Sequence, residues 1–156
     1  MGRCVQTARD LKEPGASNEK GACGNMRVIT GSAKGRKLKE LQGRETRPTT
    51  DRVKEGLFNI IQFDSEWRRV LDLFAGTGQL GIECLSRGAD RCTFVDLRKE
   101  AAALIRENLT WCALQERAQV IQGDYLAYLT RCGEKFDLIL LDPPYGSGLL
   151  EKALES

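Results

Sequence analysis

A chain of 156 residues has room for one hydrophobic core of ordinary size. Its 41% hydrophobic and 29% charged content is that of a globular protein, and no stretch reaches the ~18 unbroken apolar residues of a membrane helix. With no histidine, Ser-His-Asp and Cys-His nucleophile systems and most catalytic zinc and haem sites are excluded, because each needs an imidazole. Catalysis here must rest on carboxylates, backbone groups, lysine, aromatics or a cofactor, and no metal site is expected.

Residues 1–25 are polar, carry Pro14-Gly15 and lack apolar periodicity, so they read as a disordered extension. They also lack the apolar run of an export signal. Cys4, Cys23, Cys84, Cys92, Cys112 and Cys132 form no C-x-x-C pair, and four of them fall in apolar segments. Buried free thiols in a reducing cytoplasm are expected.

From Met26 to Leu38, two short extended runs around Gly31 and Gly35 predict a small hairpin, within a segment at 26–45. Nine basic residues between Met26 and Lys54 face only Glu40, Glu45 and Asp51, leaving about +6 on a chain whose net charge is +2. Arg27, Lys34, Arg36, Lys37 and Lys39 are the candidates for a polyanion-binding surface, with a merely solvated hairpin as the alternative. Within 46–64, Thr49 or Thr50 can cap a helix whose Val53, Leu57, Ile60 and Ile61 share one face.

From Val70 onward short apolar runs alternate with helical stretches: strands over 70–74, 91–97, 118–123 and 136–142, helices over 79–87, 99–112 and 125–131. This is the pattern of an α/β fold, a mostly parallel sheet with right-handed crossovers. Ligands of such sheets bind beyond the carboxyl ends of the strands. After the first strand, Asp72-Leu73-Phe74-Ala75-Gly76-Thr77-Gly78-Gln79-Leu80-Gly81 contains G-x-G-x-x-G. That loop suits a nicotinamide nucleotide or S-adenosylmethionine, and Asp96 at the next strand tip could bind the ribose of either. Asp72 separates them, since a carboxylate there repels a pyrophosphate and attracts the cationic amino and sulfonium groups of S-adenosylmethionine; a plain capping role is the alternative.

The last strand runs into Asp142-Pro143-Pro144-Tyr145-Gly146. Two prolines hold an acidic side chain, a carbonyl and an aromatic ring in one place. Asp142 and the Pro143 carbonyl can accept hydrogen bonds from an exocyclic amine while Tyr145 stacks on the base, which suits a flipped-out nucleobase.

D-P-P-Y after one strand and D-L-F-A-G-T-G-Q-L-G after an earlier one resemble the amino-methyltransferases that use S-adenosylmethionine. Met26-Arg27-Val28-Ile29, Lys34 to Leu38, Arg47-Pro48-Thr49-Thr50-Asp51-Arg52-Val53-Lys54-Glu55 and Leu57-Phe58-Asn59 are similar to the RsmD family of bacterial 16S ribosomal RNA guanine-N2 methyltransferases. The resemblance implies a Rossmann-like class I methyltransferase domain over 26–156. It implies that Phe74, Gly76, Thr77 and Gly78 hold the methionine part of the donor together with Asp72, with Asp96 on the ribose and Asp124 beside the adenine amine. Arg47, Thr49 and Thr50 would close the methionine end, and the basic hairpin would grip 16S ribosomal RNA or the assembling small subunit. Methyl transfer to DNA adenine or another nucleobase amine, a nicotinamide-dependent oxidoreductase and a non-catalytic RNA-binding module are the alternatives. The resembled family continues with further strands after D-P-P-Y, so the core over 70–156 is expected to be incomplete here, with its last strand at a sheet edge; the full-length protein is expected to be a monomer.

Overall fold

The computed structural model describes residues 26–41, 51–61, 67–143 and 148–155. The elements in chain order are α1 (Asp51–Ile61), β1 (Arg69–Leu73), α2 (Gln79–Ser86), β2 (Arg91–Asp96), α3 (Lys99–Trp111), β3 (Ala118–Gln122), α4 (Tyr125–Arg131), β4 (Leu138–Leu141) and α5 (Leu149–Leu154), with one 3-10 turn at Gln115–Arg117. Each expected strand and helix after residue 69 is present, with ends differing by at most two residues. The strands form one parallel sheet in the order β3-β2-β1-β4, so the α/β expectation holds. No helix among the described residues is long and apolar enough to cross a membrane.

Alternation along the strands sorts the core into two layers. Val70, Cys92, Phe94, Leu138 and Leu140 face α2, α3 and α1, whereas Leu71, Leu73, Val95 and Leu141 face α4 and α5. The helix α2 is buried along its whole length, because the sheet lies under it and the 26–41 segment over it. Cys84, Cys92 and Cys112 are buried free thiols and Cys132 is half-buried. Burial pushes the Cys84 and Cys92 thiols well up, which makes them inert small hydrophobes.

Among the described residues β4 is the outer strand on this side of the sheet. Its start is held by Asp137, whose carboxylate accepts from the N–H groups of Arg69 (2.8 Å) and Arg68 (2.9 Å); those bonds, Arg69 first, hold its carboxyl below the usual range. Further along the strand Ile139 is 49% exposed, as expected of an edge.

The expected hairpin is a ribbon with a single antiparallel bridge, Arg27 to Lys37, extended by Val28 N–H to Arg36 O (3.0 Å) and Leu38 N–H to Met26 O (2.9 Å). It holds its shape by docking. Both carboxylate oxygens of buried Glu83 on α2 accept ribbon amides, from Ile29 and Thr30 at 2.9 Å each. Ser86 Oγ accepts from Ala33 N–H and donates to Thr30 O, and Asn108 on α3 accepts from Lys39 N–H (2.8 Å) and donates to Lys39 O (3.1 Å). The ribbon therefore lies along α2 and α3 with Val28, Ala33 and Leu38 buried beneath it.

The face that α1 buries differs from the expected one. Lys54 and Phe58 are fully buried and Leu57 and Ile61 half-buried, whereas Val53 is 58% and Ile60 72% exposed. The rotation seats Phe58 against Trp67 (5.9 Å between ring centroids) and beneath the Arg87 guanidinium (4.4 Å), while Lys54 Nζ donates to Arg27 O (2.7 Å). A phenyl ring and a paired lysine stem bury more apolar surface than valine and one isoleucine do.

Candidate active site

Strand alternation brings three carboxylates to one end of one face. Asp72 shares a face with Val70, Asp96 with Cys92 and Phe94, and Asp142 continues the Leu138-Leu140 side of β4. Asp72 pairs in register with Phe94 and Leu140, so Asp96 and Asp142 stand two residues further along, about 6.6 Å higher. Asp72 is the floor of this arrangement, only 1% exposed. Its Oδ2 accepts from Gly81 N–H at 3.0 Å, so the capping reading describes part of what it does: it satisfies an orphan donor in the first turn of α2. Burial nevertheless pushes its carboxyl from 3.8 to about 7, against the lowering effect of the Gly81 bond, with the charges of Asp142 and Asp96 adding to the rise. Asp72 thus lies buried in the field of two other acids, where a nearby cation would favour its charged form. Among the described residues no group of three or more acidic, cysteine or histidine side chains closes into a metal-binding cluster.

The loop between β1 and α2 leaves the sheet through Phe74, at a positive φ of 60°, and turns through Gly76 and Gly78. A side chain at Gly76 would meet nothing nearer than Phe74 O at 3.9 Å, so its flank is open for a ligand to approach. Gly81 serves another purpose: a Cβ there would sit 2.3 Å from Phe94 Cε1, which is how closely α2 packs on β2. Thr77 is fastened to the body, its carbonyl accepting from Asn108 Nδ2 (3.1 Å) and its hydroxyl lying 3.3 Å from Met26 Sδ.

Asp96 accepts from Gly76 N–H (2.9 Å), from Arg98 N–H (2.9 Å) and from the Arg98 guanidinium at 3.2 and 3.4 Å. It locks the glycine loop and is itself covered by Arg98. Asp124 caps α4, its Oδ1 accepting from Ala127 N–H (3.0 Å), with the rest of the side chain exposed. The Phe74 ring packs on Tyr125, 4.8 Å between centroids. Two buried polar atoms here have no hydrogen-bond partner: Tyr125 Oη and Oε1 of Gln79, the residue that follows the loop.

Asp142 is exposed and Pro143 half-buried directly after β4. Tyr145, Arg47, Thr49 and Thr50 lie outside the described residues. Arg27, Lys34, Lys37 and Lys39 are exposed on the ribbon. Lys39 Nζ pairs with Glu107 at 2.9 Å, and Arg36 is drawn onto α3, its Nη1 donating to Trp111 O at 2.9 Å. Sequence reasoning missed Glu83, Asn108, Arg98, Gln79 and Trp111. Asn108 was the most visible of these, since it falls on the buried stripe Ala101-Ile105-Asn108-Cys112 where a polar residue must have a partner.

The family model described as Conserved hypothetical protein 95 matches residues 26–156. YlbH of Bacillus subtilis, whose name carries a provisional rRNA methyltransferase assignment, is 47% identical over 132 residues, 83% of this chain and 72% of that protein. Ribosomal RNA small subunit methyltransferase D of Haemophilus influenzae is 42% identical over 136 residues, 85% and 70% of the two chains. A solved structure from Escherichia coli, described with a provisional methyltransferase assignment, superposes with a TM-score of 0.74 at 34% identity, covering 85% of this chain and 71% of that one.

Proposed function

The chain belongs to the ribosomal RNA small subunit methyltransferase D family and has a Rossmann-like class I methyltransferase fold, and from that membership we propose that residues 26–156 transfer a methyl group from S-adenosylmethionine to the N2 amine of a guanine in 16S ribosomal RNA. The observation that carries the reading is the set Asp72, Asp96 and Asp142 at the carboxyl ends of three adjacent strands, Asp72 within β1, Asp96 closing β2 and Asp142 just after β4, beside the open flank of Gly76. A bound pyrophosphate would oppose the ionisation of buried Asp72 and face the Asp142 carboxylate, which disfavours the nicotinamide alternative.

The residues present fit S-adenosylmethionine. Asp72 and the unpartnered Gln79 Oε1 offer acceptors for an ammonium group, and Gly76 leaves room for it. Asp96 would reach the ribose hydroxyls by exchanging the Arg98 guanidinium, whose side chain is 34% exposed. Asp124 keeps one carboxylate oxygen for the adenine amine while the other caps α4. Arg47, Thr49 and Thr50 close the methionine end. When bound, the donor supplies a methyl already activated on a sulfonium, so the chain's own task is positioning.

That task falls to the end of β4. Asp142 and the Pro143 carbonyl accept the two N–H groups of the target amine and turn its lone pair toward the donor, and Tyr145 stacks on the base. Strand β4 hydrogen-bonds to β1, so the acceptor groups and the glycine loop are held by adjacent strands. The ribbon lysines and arginines hold the RNA backbone. The test offers labelled S-adenosylmethionine with free 16S RNA, undermethylated small-subunit particles or DNA and maps the product. Label on guanine N2 of the RNA is expected; label confined to DNA, or to a ring nitrogen or carbon, refutes the reading.

A further inference from the structure

Trp111 closes α3 and is 58% exposed. One side of it is already dressed: the Arg36 guanidinium sits 5.7 Å from the ring centroid and its Nη1 donates to the Trp111 carbonyl at 2.9 Å. A cation over one face leaves the indole presented edge and face to solvent. The ribbon that supplies Arg36 is basic. Lys34 and Lys37 are exposed on the same ribbon, and Glu107, one turn back on α3, is neutralised by Lys39 Nζ at 2.9 Å. The ribbon cannot drift from the helix, because Glu83, Ser86 and Asn108 pin its backbone.

We infer that Trp111 and Arg36 form a stacking platform for an unpaired RNA base, a second contact remote from the base to be modified. The inference rests on the RNA reading above and deepens it. An aromatic ring paired with arginine, carried beside a ribbon with exposed lysines, is the chemistry that holds single-stranded nucleic acid without reading its sequence, and the positive ribbon supplies the complementarity to phosphate. Helix α3 begins next to Asp96 and its 13 residues span about 20 Å. An RNA strand touching both ends of α3 is thereby fixed in direction as well as position, which a purely ionic grip does not achieve.

The chain has two tryptophans, so Trp67→Phe leaves Trp111 as the sole indole reporter while keeping a ring against Phe58. In this background, protein-free 16S RNA and a short single-stranded oligoadenylate should each quench the fluorescence to saturation, and an RNA duplex much less. In filter retention Trp111→Ala should weaken RNA binding at least about fivefold, Trp111→Phe far less, and none of these should alter S-adenosylmethionine affinity. Removing Lys34 and Lys37 charges should lower RNA affinity with an unchanged maximal quench. RNA retained by the filter with Trp111 unquenched and Trp111→Ala neutral overturns the platform and leaves the RNA reading standing; no retention of protein-free RNA overturns the platform, and only the absence of methyl transfer to both free RNA and small-subunit particles overturns the RNA reading as well. Quenching by assembled small-subunit particles but not by protein-free RNA also overturns it, since the platform would then meet protein. If Trp67→Phe fails to fold, the Trp111 variants in the native background decide the matter by filter retention.

Discussion

Asp72→Asn isolates the carboxylate on the site floor. The asparagine Oδ1 can still accept from Gly81 N–H, so the change removes only the ability to ionise. In the folded chain the Asp72 carboxyl titrates at about 7, raised from 3.8 chiefly by burial. The unfolded chain therefore loses this proton near pH 4 while the folded chain keeps it to pH 7, and stability falls as pH rises between those values and is level above them. At 1.36 kcal/mol per unit the full difference is about 4 kcal/mol. Relaxation of the site would lower it, so a gain of about 2–4 kcal/mol for Asp72→Asn above pH 7 is expected, shrinking toward zero at pH 4. With a urea slope of ~2 kcal/mol/M this moves the midpoint by ~1–2 M. Urea unfolding of both proteins from pH 4 to 8 measures it, the difference between the curves cancelling every other group. Calorimetric titration adds the functional side: affinity for S-adenosylmethionine should rise in the native protein through pH 7, as Asp72 gains its charge, and stay weak and flat in Asp72→Asn. Parallel stability curves over the whole range would refute the assignment of a proton to Asp72 and with it the claim that a nearby cation would favour its charged form.

Asp142→Asn should keep donor affinity but slow methyl transfer to RNA by roughly 10²–10³-fold in single-turnover assays, because an amide in place of the carboxylate loses the charge that aligns the amine. Gly81→Ala drives a methyl to 2.3 Å from Phe94 Cε1; it should cost ~1–3 kcal/mol in urea unfolding and weaken donor binding as α2 is pushed off β2. Glu83→Gln leaves one acceptor oxygen for two amides, since its NH₂ faces a donor, so the ribbon should become sensitive to trypsin at Lys34 and Lys37 while the sheet keeps its circular dichroism.

What could be read from the sequence and what could not divides along the range of the interactions. Strands β1 to β4 and helices α2 to α4 announce themselves locally, because each apolar run is shorter than a helix and is bounded by glycine, aspartate or proline. The glycine loop and the acids at the ends of β1, β2 and β4 were legible for the same reason, since a parallel sheet puts every strand tip on one rim. The face of α1 was misread because Lys54 counts as polar in any periodicity, whereas the carbonyl of Arg27, 27 residues away, accepts from its ammonium group and helps make its burial tolerable. The docking of the ribbon was invisible on the same grounds: Glu83, Ser86 and Asn108 satisfy amides 53 to 69 residues distant.

Those long-range polar bonds bear on function as well as on stability. A ribbon with one backbone bridge has little register of its own, yet the RNA grip proposed for it requires its charges to be held at fixed distances from the reacting amine. Buried side-chain acceptors on α2 and α3 supply that register, and Asn108 extends it by donating to both Lys39 O and Thr77 O. The basic ribbon is thereby tied to the glycine loop through one side chain, and the rigidity that the ribbon lacks is borrowed from α2 and α3.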